Sequence, residues 1–371
     1  MQTRRVAAPE GALDLPRIAL CLPGGGATGA MFQIGALAAL EDALGGLSER
    51  GFDLYVGTNS GASVAAVLAA GQAPARIYRA FLDPADQYFP LERKHILKMD
   101  LDAWRRTIVS AWQALRHGTS SLIARAPAPS PAVLWEELDR FYDTLPSGLF
   151  SLDAYERFLE DFFVRRGIPN TFHGMPKALR IMAHDLDTGA QVLFGAEGFD
   201  HVPVTRACIA SMAIAPFFSP VRIADRWYID AGSAQVSHLD VAVGEGAEVV
   251  VVVSPMVPVH AEAVPTGHGL KGSVRDKGMM WVMNQSLRIG MHRQMQESLL
   301  RIARSGATQV LLIEPESTDA LLFMHNPASF AARRKILEHA YRTTRARLSE
   351  WLAAGHPALE AAGFTPKAQI D

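Results

Sequence analysis

The opening stretch of the chain constrains the fold more than any other. "RIALCLP" (17–23) is an apolar run that breaks into Gly24, Gly25 and Gly26. "ATGAMFQIGALAALEDAL" then places Phe32, Leu37, Leu40 and Leu44 at near-helical spacing. "FDLYVGTN" is a second apolar run, followed by the alanine-rich "SGASVAAVLAAG", which Gly71 ends. Strand, glycine turn, helix, strand, tight turn, helix is the pattern of a parallel α/β unit whose two turns share one sheet edge.

Strands return in "ALRIMAHDLD", "QVLFG", "VRIADRWYID", "EVVVVVSPM" and "QVLLIEP". The run Val249 to Val253 is apolar throughout, as in a central strand covered on both faces. Residues 75–170 read differently, as helices over the core. Trp104, Ile108, Trp112 and Leu115 form one stripe, and Leu134, Leu138, Phe141 and Tyr142 a second. Tyr155, Phe158, Leu159 and Phe162 form a third, with Ser151 as its expected N-cap; the proline-rich "RAPAPSPA" (125–132) links the first two. The expected layout is an N-terminal arm (1–16), an α/β domain (17–325) carrying the helical insertion, and a C-terminal helix and tail (326–371). That last helix is expected to start at Asn326-Pro327, a cap residue before a first-turn proline.

Apolar residues at 49% and charged residues at 20% are those of a packed globular chain. A formal net charge of -2 lacks a polyanion-binding signature, so nucleic acid is not an expected partner. No apolar core of signal-peptide length precedes Pro16, and no stretch is long enough to cross a bilayer. The expectation is a soluble cytoplasmic protein, free to touch a membrane from one side. Cys21 and Cys208 sit in apolar surroundings and read as buried free thiols. The 12 histidines show no metal-ligand spacing, and His260 and His268 fall in a proline- and glycine-containing loop. Neither metal nor other cofactor is expected.

Three turns carry candidate chemistry. In "PGGGATG", glycines after a strand let successive backbone N–H groups converge on an anion or developing oxyanion. Gly24, Gly26 and Gly29 satisfy a dinucleotide spacing, but the next strand ends in "VGTNSGA" rather than an acidic residue. In "GTNSGA", Gly57 and Gly61 frame position 59 as the apex of a nucleophile elbow, and that apex is Asn59. Asparagine tolerates a left-handed backbone, but its amide is no nucleophile at neutral pH. Ser60, flanked at the same distances by Thr58 and Ala62, is the candidate nucleophile if the elbow is shifted by one residue; Ser63 falls inside the helix. In "YIDAGSA", Asp230 ends a strand at a turn of small residues, from which a carboxylate can face the other two turns.

Taken together, "GGGATG", "GTNSGA", "ASMAIAP" and "DAG", with "HDLDTG" at another strand end, resemble the conserved blocks of the patatin-like phospholipases. The blocks keep their order and strand contexts over about residues 17–255. The resemblance implies a three-layer α/β/α fold with a mostly parallel sheet, and lipid acyl hydrolysis by a Ser–Asp dyad without a catalytic histidine. It places the dyad aspartate at Asp230 and the oxyanion donors on the loop Gly24, Gly25, Gly26, Ala27, Thr28 and Gly29. Three departures follow: the family serine aligns with Asn59, an oxyanion-loop arginine with Thr28, and the glycine after the aspartate with Ala231. Two readings result. One is hydrolysis of phospholipid or glycerolipid acyl esters through Ser60 and Asp230; the alternative is a pseudoenzyme that binds lipid or acts as a scaffold. "WRRTIVSAWQALRH" reads either as an interfacial helix or as a lid packed on its own core. The basic face of the last helix, from Arg333 to Arg347, reads as solvated or as facing anionic headgroups.

Overall fold

The computed structural model describes residues 15–83, 85–101, 104, 105, 107–109, 112, 145–232, 238–260, 273–319 and 332–367. The link at 125–132, the stripe at 134–142, His268 and the helix start at Asn326 lie outside them.

One eight-stranded sheet organises the chain. Its strands are β1 (Ile18–Leu22), β2 (Leu54–Gly57), β3 (Ala178–Asp185), β4 (Gln191–Phe194), β5 (Val221–Ile223), β6 (Arg226–Asp230), β7 (Val249–Val253) and β8 (Gln309–Ile313). Strands β8, β7, β1, β2 and β3 run parallel in that order; β4 and β6 pair with β3 antiparallel, and β5 with β6. The mostly parallel sheet expected from the alternation of apolar runs and helices is the one observed.

Strict two-residue alternation gives each central strand two cores. Ile18, Leu20 and Leu22 of β1 face one side with Val249, Val251 and Val253; Ala19 and Cys21 face the other with Val250 and Val252. The first side is covered by α1 (Gly26–Ala43), α2 (Ser60–Ala69), α3 (Pro74–Leu82), α4 (Asp153–Arg166), α5 (Val204–Met212) and α8 (Arg333–Ala354). The second is covered by α6 (His238–Gly244) and α7 (Met279–Ser305). Both thiols are free and fully buried.

The third expected stripe is buried on α4, with Leu159 and Phe162 wholly inaccessible. Its cap differs from expectation. The helix starts one residue later, with Leu152 at the N-cap, because the Ser151 hydroxyl accepts from the Asp153 amide, 3.1 Å away, in a local turn instead. In the first expected stripe, Ile108 and Trp112 are 62% and 60% exposed, so these two side chains do not pack on the core, and Leu115 lies outside the described residues. No helix among the described residues is long and apolar enough to cross a membrane.

Candidate active site

The pairing of β3 explains how distant turns meet. Along one edge, β4 pairs with Ile181 to His184. Ile181 also pairs with Gly57 of β2, and Ala183 also pairs with Asp230 of β6. Because β4 already holds one edge at both positions, β2 and β6 must share the other edge end to end. Two residues of strand separate their registers, about 7 Å. The end of β6 therefore arrives just beyond the end of β2, where the chain turns into α2.

That turn is an elbow with its apex at Asn59, at φ 55° and ψ −130°. The crowding around it requires small residues on either side. A Cβ on Gly61 would lie 2.0 Å from the Leu22 carbonyl oxygen, and one on Gly57 would lie 2.7 Å from the Ala62 Cα. The apex backbone is tied down from behind: the Asn59 N–H donates to the Ser211 Oγ (2.9 Å), which donates to the Met182 carbonyl (2.6 Å). Ser211 lies in the "ASMAIAP" block, and the block's spacing alone gives it no role. Thr58, on the other side, hydrogen-bonds through its hydroxyl to the buried His238 Nε2. Burial drives the His238 pKa down to about 4, so the ring is neutral.

The Asn59 side chain spans the gap between the glycine loop and the strand end. Its Nδ2 donates to the Asp230 Oδ2 at 2.7 Å, and its Oδ1 accepts from the Gly26 N–H at 3.3 Å. The network fixes the amide orientation, since a flip would set oxygen against carboxylate and NH2 against N–H. Asp230 also accepts from the Gly232 N–H at 2.6 Å through Oδ1. Burial raises its pKa to about 6, against the lowering effect of the Asn59 and Gly232 donors. A Cβ on Gly24 would lie 2.6 Å from the Asn59 Cβ, so the loop lies directly against the apex. Thr28 is buried, and its hydroxyl donates to the Gly25 carbonyl at 3.4 Å; it turns into the loop rather than toward the site.

Above Asn59, Asp230 and the loop lies a chamber of about 320 Å³. Its walls are largely apolar, with Phe150, Phe217, Met212, Met283 and Met291 among them. Ser60 does not line it. It lines a neighbouring cavity of about 70 Å³ with Ser63, Val64 and Tyr155, and its buried hydroxyl has no hydrogen-bond partner among the described residues. The structure thus brings Asn59, Asp230, Gly24, Gly25, Gly26 and Ala27 to one chamber, and Ser60 is not among its lining residues.

One chamber wall went unread in the sequence. Helix α7 contributes Met280, Met283, Asn284, Leu287 and Met291. Met283, Leu287, Met291 and Met295 recur every four residues, and Gly306 closes the helix in a left-handed cap, so the signal was present. Arg288, buried on the same helix, donates through Nε to the Asn284 Oδ1 (2.8 Å) and through NH1 to the Pro255 carbonyl (2.8 Å). Among the described residues no group of three or more His, Cys, Asp or Glu is placed to hold a metal ion.

The sequence profile of the patatin-like phospholipases matches residues 20–243, well over half of the chain. The chain belongs to the patatin-like phospholipase family. No curated protein matches it. Among solved structures it is similar to VipD from Legionella pneumophila, at 13% identity over 91% of this chain and 67% of that one, with a TM-score of 0.36. It is similar to the type III effector protein ExoU at 17% identity over 90% of this chain and 53% of that one, with a TM-score of 0.34. Human GIVD cytosolic phospholipase A2 matches at 11% identity over 94% of this chain and 60% of that one, with a TM-score of 0.36. The chain spans about half to two thirds of the length of these proteins. The elbow apex of this patatin-like chain carries an amide side chain, that of Asn59.

Proposed function

We propose that this patatin-like chain binds acyl lipid in the chamber above the elbow and does not cleave it. The carrying observation is the double engagement of Asn59, whose NH2 takes the Asp230 carboxylate while its carbonyl oxygen takes the Gly26 amide. At this apex an amide cannot attack an ester, and it occupies both the base and an oxyanion donor that a hydrolytic reaction would use. Family membership and the apolar walls support an acyl ester as the ligand class.

The other reading is ester hydrolysis, favoured by the family itself and by the retained carboxylate and glycine loop. In it, Ser60 attacks the acyl carbon while Asp230 takes the hydroxyl proton. The ester C–O bond breaks, the proton passes to the departing alcohol, and water then hydrolyses the acyl-enzyme to release the fatty acid and restore the serine. The absence of Ser60 from the chamber lining weighs against that step.

A fluorophosphonate probe followed by intact-mass measurement separates the two. The expected result is no adduct on the folded wild-type chain and a single adduct at position 59 of Asn59→Ser. An adduct on wild-type Ser60, lost in Ser60→Ala, would establish hydrolysis and overturn the binding-only reading.

A further inference from the structure

Two segments that line the chamber also expose apolar side chains to water. In the first, Ile96 and Leu97 line the chamber, while the chain that follows turns outward. Met99 is 50% exposed, Leu101 67%, Ile108 62% and Trp112 60%. Leu101, Arg105, Ile108 and Trp112 share one helical face by spacing, and all four are exposed. Val164 of α4, 82% exposed, lines the same outer groove as Leu97 and Met99. In the second, Met280 lines the chamber and is itself 37% exposed, with Met279 at 77% and Val282 at 47% beside it on α7.

Exposed apolar residues scattered over a surface are ordinary; two groups beside one apolar chamber are not. Their charge pattern narrows the partner. The outer groove carries Lys94, Lys98, Arg157 and Arg165 against Glu92 and Asp161. Glu92 is paired with Lys94, while Lys98, Arg157 and Arg165 have no ion pair among the described residues. On α7 the Lys277 ammonium sits 4.3 Å from the Trp281 ring centroid, at the start of the exposed methionine run. Aliphatic and aromatic side chains ringed by cations suit the interface of an anionic bilayer, where tails take the apolar groups and headgroup phosphates the cations.

We infer that this surface docks on anionic lipid bilayers, with Met99, Leu101 and Ile108 and the start of α7 entering the headgroup region beside the chamber. The inference rests on the acyl-lipid reading of the chamber, because a bilayer then supplies the ligand at its entrance.

The test is flotation of the full chain with phosphatidylcholine vesicles prepared with and without phosphatidylglycerol. Partitioning is expected to rise about tenfold with the anionic lipid at low salt and to fall as salt is added. Lys98→Glu combined with Arg157→Glu and Arg165→Glu should remove that gain. Leu101→Asp combined with Ile108→Asp should weaken binding to both kinds of vesicle. All five positions are exposed, and unchanged circular dichroism and melting would confirm an intact fold. Absence of flotation by the wild-type chain at low salt overturns the inference, as does flotation that neither variant changes. Self-association that the same substitutions abolish, without vesicle binding, also overturns it and makes another copy of the chain the occupant. Titration of a monomeric short-chain lipid, without vesicles, reports on the chamber alone. Binding there without flotation breaks only the docking inference, and flotation without binding breaks only the chamber reading.

Discussion

Asn59 and Ser60 are neighbours in the chain and face different worlds. Asn59 lines the large chamber, held by Asp230 and Gly26; Ser60 lines a small cavity beside α1, α2 and α4. The difference follows from where the helix begins. Asn59 has the strained, positive-φ backbone of the elbow, while Ser60 is already the first residue of α2. Successive helical residues point about 100° apart around the axis, so moving the hydroxyl one place along the chain rotates it out of the site. A nucleophile on a strand-to-helix turn has one address. On the proposed binding-only reading, a neighbouring serine substitutes for it only if the turn itself is rebuilt.

The largest expected effect comes from restoring a hydroxyl at that address. Asn59→Ser should gain activity on a short-chain nitrophenyl ester, on the order of 10²–10⁴-fold over wild type, the range that a positioned base contributes. The gain should vanish in the double variant with Asp230→Asn. If Asn59→Ser stays silent while its melting curve is normal, the comparison fails on the chamber side, because the loop and carboxylate would then be insufficient.

Next in size is Gly61→Ala. The added Cβ would stand 2.0 Å from the Leu22 carbonyl oxygen, a backbone atom that cannot swing aside. A loss of about 3 kcal/mol is expected in denaturant unfolding. A much smaller loss would mean that the elbow can move, and a mobile elbow would reopen the possibility of Ser60 reaching the chamber.

How much of this was legible in the sequence depends on what set each feature. The sheet was legible because β1 and β7 are apolar at every position, which only a strand buried on both faces can use. The elbow was legible because Gly57 and Gly61 are required by backbone crowding, whatever residue sits between them. Side-chain directions were not. The Ser60 hydroxyl and the inward turn of Thr28 depend on helix phase and on neighbours from other segments, which spacing does not encode. Ser211 escaped notice because its partners, the Asn59 amide and the Met182 carbonyl, come from two distant segments. Helix α7 was missed despite its four-residue methionine and leucine repeat. Most of its length is polar or exposed, so its apolar seam is narrow.

A smaller, pH-dependent effect separates the carboxylate from its surroundings. Asp230 has its pKa raised to about 6 from 3.8 by burial. A carboxyl whose folded value exceeds its unfolded value stabilises the fold when protonated. Its contribution is full below about pH 4 and is lost as pH rises through about 6. The melting temperature of wild type minus that of Asp230→Asn should therefore decline between those limits and stay level above them. In Asn59→Ala the decline should move to higher pH, because a donor that favours the carboxylate is gone. A pH-independent difference would mean that Asp230 is solvated, and that the chamber floor is wetter than its apolar walls suggest.

The smallest effect tests the other side of the elbow. Ser60 is buried, at 7% exposure, and its hydroxyl has no hydrogen-bond partner among the described residues. A buried hydroxyl without a partner costs stability, so Ser60→Ala should leave unfolding unchanged or improve it by about 1 kcal/mol. The same substitution should leave lipid titration of the chamber untouched, since Ser60 lines only the smaller cavity. Thermal melting and titration of one purified variant give both readings. If Ser60→Ala instead weakens lipid binding while the fold stays intact, the two cavities are one ligand site and the division drawn at Asn59 is the wrong one. Stability and binding both unmoved would leave Ser60 a space-filling residue and confine the chemistry of this chain to the apex beside it.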